Sequence, residues 1–345
     1  MKAMVLAAGE GTRLRPLTLD RPKPMVPVVN RPNIGHVLDK LSNAGIKDAA
    51  VNLWFHSDLI KKYVGKGTTW NIGIRYSQEK KLRGTAGSIA PLKDFFKKDS
   101  FVVLSGDGVS ELNINELEMH HRKSGAIATV VLAQVDARFD YGLVKLNGAH
   151  QVTTLIEKPS WREAFAPYVN TGIYMFEPEI LDWIPGDGPF DFARELFPRL
   201  LAESQVVNGY VLDGYWCDIG NLKEYRRCHK DILDGKTRVK IPGEEIEPGV
   251  WVGEKTRIGS GVSIEGPVAI GRGVTVEKSA KILPYSVIGD GCHISRGAVI
   301  DESILWEKVK VSAGVRVSGC VLADGAVLKE NMAFFEGAVL SANPQ

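Results

Sequence analysis

Residues 252–300 read, in groups of six, VGEKTR IGSGVS IEGPVA IGRGVT VEKSAK ILPYSV IGDGCH ISRGAV I. Val252, Ile258, Ile264, Ile270, Val276, Ile282, Ile288, Ile294 and Ile300 recur at every sixth position without a slip, a run that chance placement of aliphatics would rarely give. Four residues after the first eight come Thr256, Val262, Val268, Val274, Ala280, Ser286, Cys292 and Ala298, mostly small or β-branched. Each unit thus carries one large and one small inward residue, and stacking such units buries a continuous core. After Ile300 a second frame, Val309, Val315, Val321 and Val327, replaces the first, which places an irregular corner near Ser303 to Lys308.

This repeat resembles the hexapeptide repeat of left-handed parallel β-helices, in which three units make one triangular coil. The handedness is implied by that resemblance, since the general crossover rule is right-handed. Upstream, residues 236–248 contain Pro242, Gly243 and Pro248 and read as a linker between a first domain, 1–235, and a β-helix domain, 249–345. The first domain alternates short apolar runs with amphipathic stretches. Met4 to Ala8 reads as a buried strand. Ile34, Val37, Leu38 and Leu41 follow at helical spacing and stop at Gly45. The alternation continues through Ala49 to Trp54, a helix with Ser57 as N-cap, Ile72 to Tyr76, a helix after Gly87, Phe101 to Leu104, a helix ending before Gly125, and Ala126 to Val135. Such β-α-β order predicts a Rossmann-like α/β domain with a mainly parallel sheet, whose ligands bind beyond the carboxyl ends of the strands.

A length of 345 residues allows about two domains at ~150 residues each. A net charge of +2 gives no sign of nucleic-acid binding. Cys217, Cys228, Cys292 and Cys320 show no C-x-x-C pair, so buried reduced thiols are expected rather than disulfides or zinc. The short apolar start is no signal peptide and no 18-residue apolar run follows, so a cytoplasmic chain without membrane attachment is expected.

Directly after the first strand comes Gly9-Glu10-Gly11-Thr12-Arg13-Leu14-Arg15-Pro16-Leu17-Thr18, then Arg21-Pro22-Lys23-Pro24. Leu14 spoils a dinucleotide fingerprint, and a Walker A loop lacks its Gly-Lys-Ser/Thr. What remains is a glycine loop whose N–H groups can approach an anion, with Arg13 and Lys23 as fixed cations, a chemistry suited to a triphosphate or pyrophosphate. Asp107 follows the strand Phe101 to Leu104 at the same carboxyl edge, where its carboxylate suits Mg²⁺.

The G-x-G-T-R-L-x-P-L-T…P-K-P stretch resembles the signature of nucleotidyltransferases that join a sugar 1-phosphate to a nucleoside triphosphate. The likeness continues in Gly84-Thr85-Ala86-Gly87, Ser105-Gly106-Asp107, Glu157-Lys158-Pro159, Asn170-Thr171-Gly172-Ile173-Tyr174 and Gly214-Tyr215-Trp216-Cys217-Asp218-Ile219-Gly220. With Phe190-Asp191-Phe192 it is most like the mannose-1-phosphate guanylyltransferases. The resemblance implies a Mg²⁺-dependent enzyme with Arg13, Lys23, Asp107, Lys158 and Asp218 as its catalytic set, and Asp218 as partner of Asp107 on the metal. It implies a nucleotide site of Leu6, Ala8, Gly9, Gly11, Thr12, Arg13, Lys23, Gly84, Thr85, Ala86 and Asp107. Gly84 to Gly87 lie against the base or shape a turn before the next helix. A sugar-phosphate site of Gly142, Glu157, Lys158, Asn170 and Thr171 follows, with Lys158 on the phosphate and Glu157 on sugar hydroxyls.

GTP and mannose 1-phosphate are the favoured substrates. Leu82-Arg83 stands where the family often has Pro-Leu, which keeps glucose 1-phosphate with ATP, UTP or dTTP in play. A non-catalytic regulatory or assembly subunit is the alternative of another class, although such chains tend to lose the loop arginine or the carboxylates present here. The histidines offer no rival mechanism. His293 directly precedes inward Ile294 and should point outward, against an acyltransferase. Exposed coil ends and flat faces predict a homo-oligomer formed through the β-helix.

Overall fold

The computed structural model describes residues 1–135, 141–157, 167–330, 333–335, 337 and the backbone of 339–340. Two compact units result. One holds Met1–Glu10, Pro22–Pro24 and Ile34–Asp218, and the other holds Gly11–Arg21, Met25–Asn33 and Ile219–Gln345.

The first unit is built on a nine-stranded sheet. Strand β1 (Lys2–Leu6) pairs in parallel with β2 (Asp48–Leu53), and β2 with β3 (Gly73–Gln78); on its other side β1 pairs in parallel with β4 (Phe101–Ser105). Helix α1 (Asn33–Asn43) lies between β1 and β2 in the chain. Its Ile34, Val37, Leu38 and Leu41 are buried as their spacing requires, and Gly45 at φ +77° closes it. Helix α2 (Ser57–Val64) joins β2 to β3.

Beyond β4 the parallel pattern stops. A short strand β5 (Gly108–Ser110) and helix α3 (Ile114–Ser124) lead to β6 (Ala128–Ala133), and then to β7 (Leu143–Leu146), β8 (Val152–Ile156) and the long β9 (Tyr168–Phe176). Asn113 caps α3 by accepting from the N–H groups of Asn115 and Glu116, and Gly125 at φ +62° ends it where expected. Strand β9 inserts antiparallel between β4 and β6 and pairs antiparallel with β7, while β10 (Val207–Val211) adds in parallel to β6. Phe96, Phe101, Tyr174, Phe176, Phe192 and Phe197 pack under this junction, with Phe176 stacked on Phe192 at 5.2 Å.

In the second unit the six-residue groups form three parallel sheets, led by Val250–Val252, Arg257–Ile258 and Ser263–Ile264. Val276, Ile282, Ile288, Ile294 and Ile300 are at most 1% exposed, with Val274, Ala280, Cys292 and Ala298 beside them in the same core. Ile258 stays exposed, because no coil precedes its own. The second frame is a correction. Strand partners lie eighteen residues apart in the first coils (Val268 with Ser286) but seventeen apart afterwards (Val287 with Ile304, Ile304 with Val321). One residue is lost after Ile300 and another after Val317, so the large inward positions become Leu305, Val311, Val317, Leu322 and Leu328. Val309 and Val315 fill the small inward slot, and Val327 faces solvent at 60% exposure. The irregular corner sits at 301–303, ahead of the position expected.

The two compact units are interleaved along the chain. Helix α4 (Leu222–Leu233) and two N-terminal stretches belong with the coils. The hydroxyl of Tyr225 donates to the Pro27 carbonyl (2.6 Å) and accepts from the Trp306 indole (2.9 Å). Asn30 donates to the Ile288 carbonyl (2.8 Å), and the Arg21 guanidinium lies 4.5 Å over the Trp306 ring. Outward-facing Ala269, Val287, Ile304 and Val321 are at most 3% exposed, so this sheet face is covered rather than solvated.

Candidate active site

Strand β4 runs out at Ser105, and Gly106-Asp107 turns the chain into β5. A Cβ at Gly106 would stand 3.0 Å from the Leu6 carbonyl and 3.2 Å from Pro24, so any side chain there would force the end of β1 or Pro24 to give way. Strand β11 (Trp216–Asp218) pairs antiparallel with β5 and sets Asp218 opposite Gly108. This short ladder brings two carboxylates 111 positions apart to one place. The Lys23 ammonium lies between them, donating to Asp107 Oδ2 at 2.5 Å and to Asp218 Oδ1 at 3.0 Å. Ser105 Oγ donates to the other oxygen of Asp107.

Burial by itself would lower the pKa of Lys23, but the negative charges of Asp107 and Asp218 outweigh it and hold the ammonium above its ordinary value. Burial likewise pushes Asp107 up, and the Lys23 charge with the hydrogen bonds of Lys23 and Ser105 overcomes it, so this carboxyl is held low. Both groups are therefore ionised near neutral pH.

Behind the carboxylates a cavity of about 10 Å³, on the scale of one water, is lined by Lys40, Ser105, Ser110, Thr171 and Trp216. Lys40 reaches it from α1 and donates to Ser110 of β5. Burial pushes its pKa down to about 8 against the attraction of Glu111. Thr171 is buried and gives its hydroxyl to the Val131 carbonyl (2.7 Å). Asn170 donates to Tyr174 Oη (3.0 Å) and accepts from Gly172 N (3.1 Å), and its own N–H is held by Gly142 O (2.8 Å). A Cβ at Gly142 would fall 2.8 Å from Glu157 Oε2, so glycine leaves the room that carboxylate occupies. Lys158 lies outside the described residues.

The stretch Gly84–Gly87 is itself one helical turn, and the helix expected after it begins within it. Gly84 has φ +71°, and a Cβ there would meet the Phe190 carbonyl at 2.6 Å. Gly87 N donates to that carbonyl (2.9 Å), and Thr85 Oγ1 donates to Asp191 (2.8 Å) and accepts from Phe192 N (2.9 Å). The turn is thus strapped to the Phe190-Asp191-Phe192 segment. Gly9 differs, since a Cβ there would meet nothing within 4 Å. In the loop that follows, Gly11 at φ +65° precedes a turn of 3₁₀ helix over Thr12–Leu14, Thr18 Oγ1 donates to the Gly11 carbonyl (2.8 Å), and Thr12 and Arg13 are exposed.

Among the described residues no group of three or more His, Cys, Asp and Glu comes together to hold a metal ion. The donor set offered is two carboxylates about a cation. That fits Mg²⁺, which is commonly held by one or two carboxylates and completes its sphere with water and substrate phosphate. His293 points outward, bonded to Glu277 at 2.9 Å. No helix among the described residues is long and apolar enough to cross a membrane.

An α/β sheet with paired carboxylates and a lysine beyond its strand ends, followed by hexapeptide coils, defines a phosphate-handling transferase with a β-helix tail. Residues 2–235 match the nucleotidyl transferase family, and the chain belongs to it. Residues 247–345 match the EIF2B subunit epsilon LbH domain, which makes the coils a left-handed β-helix. The chain is 36% identical to the UTP--glucose-1-phosphate uridylyltransferase of Synechocystis sp., with 92% of this chain and 86% of that protein covered. It is 32% identical to mannose-1-phosphate guanylyltransferase 1 of Arabidopsis thaliana, covering 99% and 95%, and 30% identical to the mannose-1-phosphate guanylyltransferase of Mycobacterium tuberculosis, covering 90% and 81%. The crystal structure of HddC from Yersinia pseudotuberculosis shares the fold, with a TM-score of 0.58 at 24% identity, covering 66% of this chain and 98% of that one.

Four residues around the site were not anticipated. Ser105 and Lys40 support the ladder that carries the carboxylates, and Asn52 and Glu79 lie buried at the ends of β2 and β3. Asn52 left a signal as the one amide inside the apolar run Ala49–Leu53, and Ser105 stood in the Ser105-Gly106-Asp107 motif without a role assigned to it.

Proposed function

We propose that this nucleotidyltransferase uses GTP and mannose 1-phosphate to make GDP-mannose and pyrophosphate, with Mg²⁺ held by Asp107 and Asp218. The convergence of those carboxylates on Lys23 is the observation that carries the reading. A sugar-phosphate oxygen attacks the α-phosphorus of the triphosphate, the new P–O bond forms as the bond to pyrophosphate breaks, and no covalent enzyme intermediate is needed. The nucleophile is already an anion, so the protein's task is to neutralise and align two polyanions. Bound Mg²⁺ supplies charge neutralisation at the phosphates. Lys23 adds a positive charge held in place by burial and by its carboxylate partners. On the resemblance, Arg13 with Gly9, Gly11 and Thr12 takes the triphosphate, Leu6, Ala8 and Gly84 to Ala86 take the nucleoside, and Gly142, Glu157, Lys158, Asn170 and Thr171 take the sugar phosphate. Thr171 acts by fixing the strand, because its hydroxyl is already committed to Val131.

The guanylyltransferase relatives extend over nearly the whole chain, which favours GTP and mannose 1-phosphate. The uridylyltransferase relative at 36% identity supports UTP with glucose 1-phosphate as the second reading. A panel of triphosphates crossed with sugar 1-phosphates, scored by pyrophosphate release, separates them. Asp107→Asn and Asp218→Asn should each lower kcat by about 10²–10³-fold, the scale of losing one preorganised electrostatic contact. A folded variant with full Mg²⁺-dependent turnover would remove the mechanism. The protein is further proposed to be cytoplasmic and to self-associate through its β-helix; sedimentation as a monomer at micromolar concentration would reject that association.

A further inference from the structure

At one corner of the coils the same dipeptide recurs two coils apart, as Asp290-Gly291 and Asp324-Gly325. One oxygen of each aspartate accepts from a backbone N–H one coil earlier, that of Arg272 for Asp290 (2.8 Å) and that of Glu307 for Asp324 (3.0 Å). The N–H of each following glycine donates back to the carbonyl of that same residue, at 2.8 Å in both cases. The backbone therefore holds the two carboxylates alike, but their second oxygens go to different partners. That of Asp290 accepts from the Arg272 guanidinium (2.8 Å), inside the repeat. Asp324 meets Glu307 in that place, a like charge, and its second oxygen accepts instead from the Arg21 guanidinium, outside the repeat. The Arg21 side chain is 21% exposed. Its guanidinium lies 4.5 Å over the Trp306 ring, and Nη1 donates to the Met25 carbonyl (3.3 Å). One planar group thus joins Asp324, Trp306 and Met25, a combination that needs the forked donors and flat face of arginine.

Arg21 and Met25 bracket Lys23, which is 6% exposed and stands between Pro22 and Pro24. Lys23–Met25 form one turn of 3₁₀ helix. Proline fixes φ, so a displacement at Arg21 is carried along Pro22-Lys23-Pro24 rather than absorbed by the backbone. We infer that Asp324 and Arg21 are positioning residues that fix the turn presenting Lys23. The inference rests on the assignment of Lys23 to the reacting phosphates. Asp324→Asn separates this role from coil stability. The amide oxygen still accepts from Glu307 N, so the coil keeps its bond, while the amide N–H group faces the guanidinium donor to donor. Asp290→Asn is the control, because it removes the same kind of ion pair from the same corner and leaves Asp324 untouched.

The test is acetylation by acetic anhydride read by mass spectrometry, beside steady-state kinetics and melting temperatures, on the full-length parent, D324N, R21M and D290N. Exposed Lys47 serves as the internal standard. In D324N and R21M, Lys23 is expected to react about threefold faster or more relative to Lys47. Their kcat is expected to fall about fivefold or more, since small misplacements are costly in an aligned site. In D290N the labelling of Lys23 and kcat should both stay within about twofold of the parent, as for a surface change. Equal effects in D324N and D290N would mean a general loosening of the coils and would overturn the inference. Unchanged labelling of Lys23 in D324N, or faster labelling with unchanged kcat, would overturn it too. If D324N does not fold, R21M decides by the same two readings, because it keeps a side-chain stem over Trp306 and deletes the donors. Failure of both to fold makes the pair merely structural and refutes the inference. A parent inactive with every substrate pair would instead refute the nucleotidyltransfer reading, while the labelling would still judge the hold on Lys23.

Discussion

Lys40 brings a positive charge to the wall of a cavity the size of one water, with the Ser110 hydroxyl as hydrogen-bond partner and Glu111 as the nearest counter-charge. Its pKa, pushed down to about 8, lies below the 10.5 of the unfolded chain. Below pH 8 both states are charged and the folded state bears the whole cost. Between 8 and 10.5 the unfolded chain binds the extra proton, so stability rises with pH and levels off above that window. The rise should be about 2 kcal/mol between pH 7 and 9.5, at 1.36 kcal/mol per pKa unit. Urea unfolding of the parent and Lys40→Met at those two pH values checks it: the gap between them should change by that amount, and parallel curves would contradict it. Little of this was legible beforehand. A lysine on an amphipathic helix reads as solvated, and only the fold shows that Lys40 reaches back to β5. Asp107 could be placed from its strand alone, whereas Asp218 depended on resemblance, because nothing in its own surroundings announces the two-stranded ladder that carries it.

At the scale of elements, the parallel strands, α1 and α3 could be read from periodicity and glycine stops, since each is decided by its own residues. The antiparallel insertion of β9 could not, because its partners β4 and β6 are fixed by tertiary pairing. The β-helix shows how a local pattern misleads. Val309, Val315, Val321 and Val327 keep a perfect six-residue spacing, yet the one-residue loss after Val317 carries that frame from the small inward slot to the outward face. The core logic of the coil is set by Leu322 and Leu328 instead. Leu322→Ala should therefore cost about 2–5 kcal/mol, the range for emptying a buried leucine site. Val327→Thr should stay within about 0.5 kcal/mol, as for a surface change. Denaturant unfolding of both would distinguish the frames, since the frame read from the valines alone requires a serious loss from Val327→Thr.

At the scale of the whole chain, the nucleotidyltransferase match ends at 235, but the compact units do not divide there. Arg21, Pro27, Asn30 and Tyr225 find their partners in one another and in the coils, through Trp306 and Ile288. Cutting after residue 235 removes the indole beneath Arg21 and the donor to Tyr225, leaving the fully buried phenol with its Pro27 bond but an exposed ring. Losses of this kind, a buried aromatic uncovered and a stacked cation released, sum to several kcal/mol at ~2 kcal/mol per large side chain. They fall on the stretches that flank Lys23 in sequence, Gly11–Arg21 and Met25–Asn33. A fragment of residues 1–235 is accordingly expected to express as an aggregation-prone protein with a melting temperature at least about 10 °C below the full chain and kcat/KM reduced by about tenfold or more. The milder Tyr225→Phe, which keeps the ring and deletes only the hydroxyl that joins the Pro27 carbonyl to the Trp306 indole, should leave folding intact and lower stability by about 1–3 kcal/mol, the cost of leaving buried partners unpaired. Thermal melts and pyrophosphate-release assays on both proteins provide the check. A truncated protein as stable and active as the parent would mean that the coils merely follow the transferase segment and do not help to hold it.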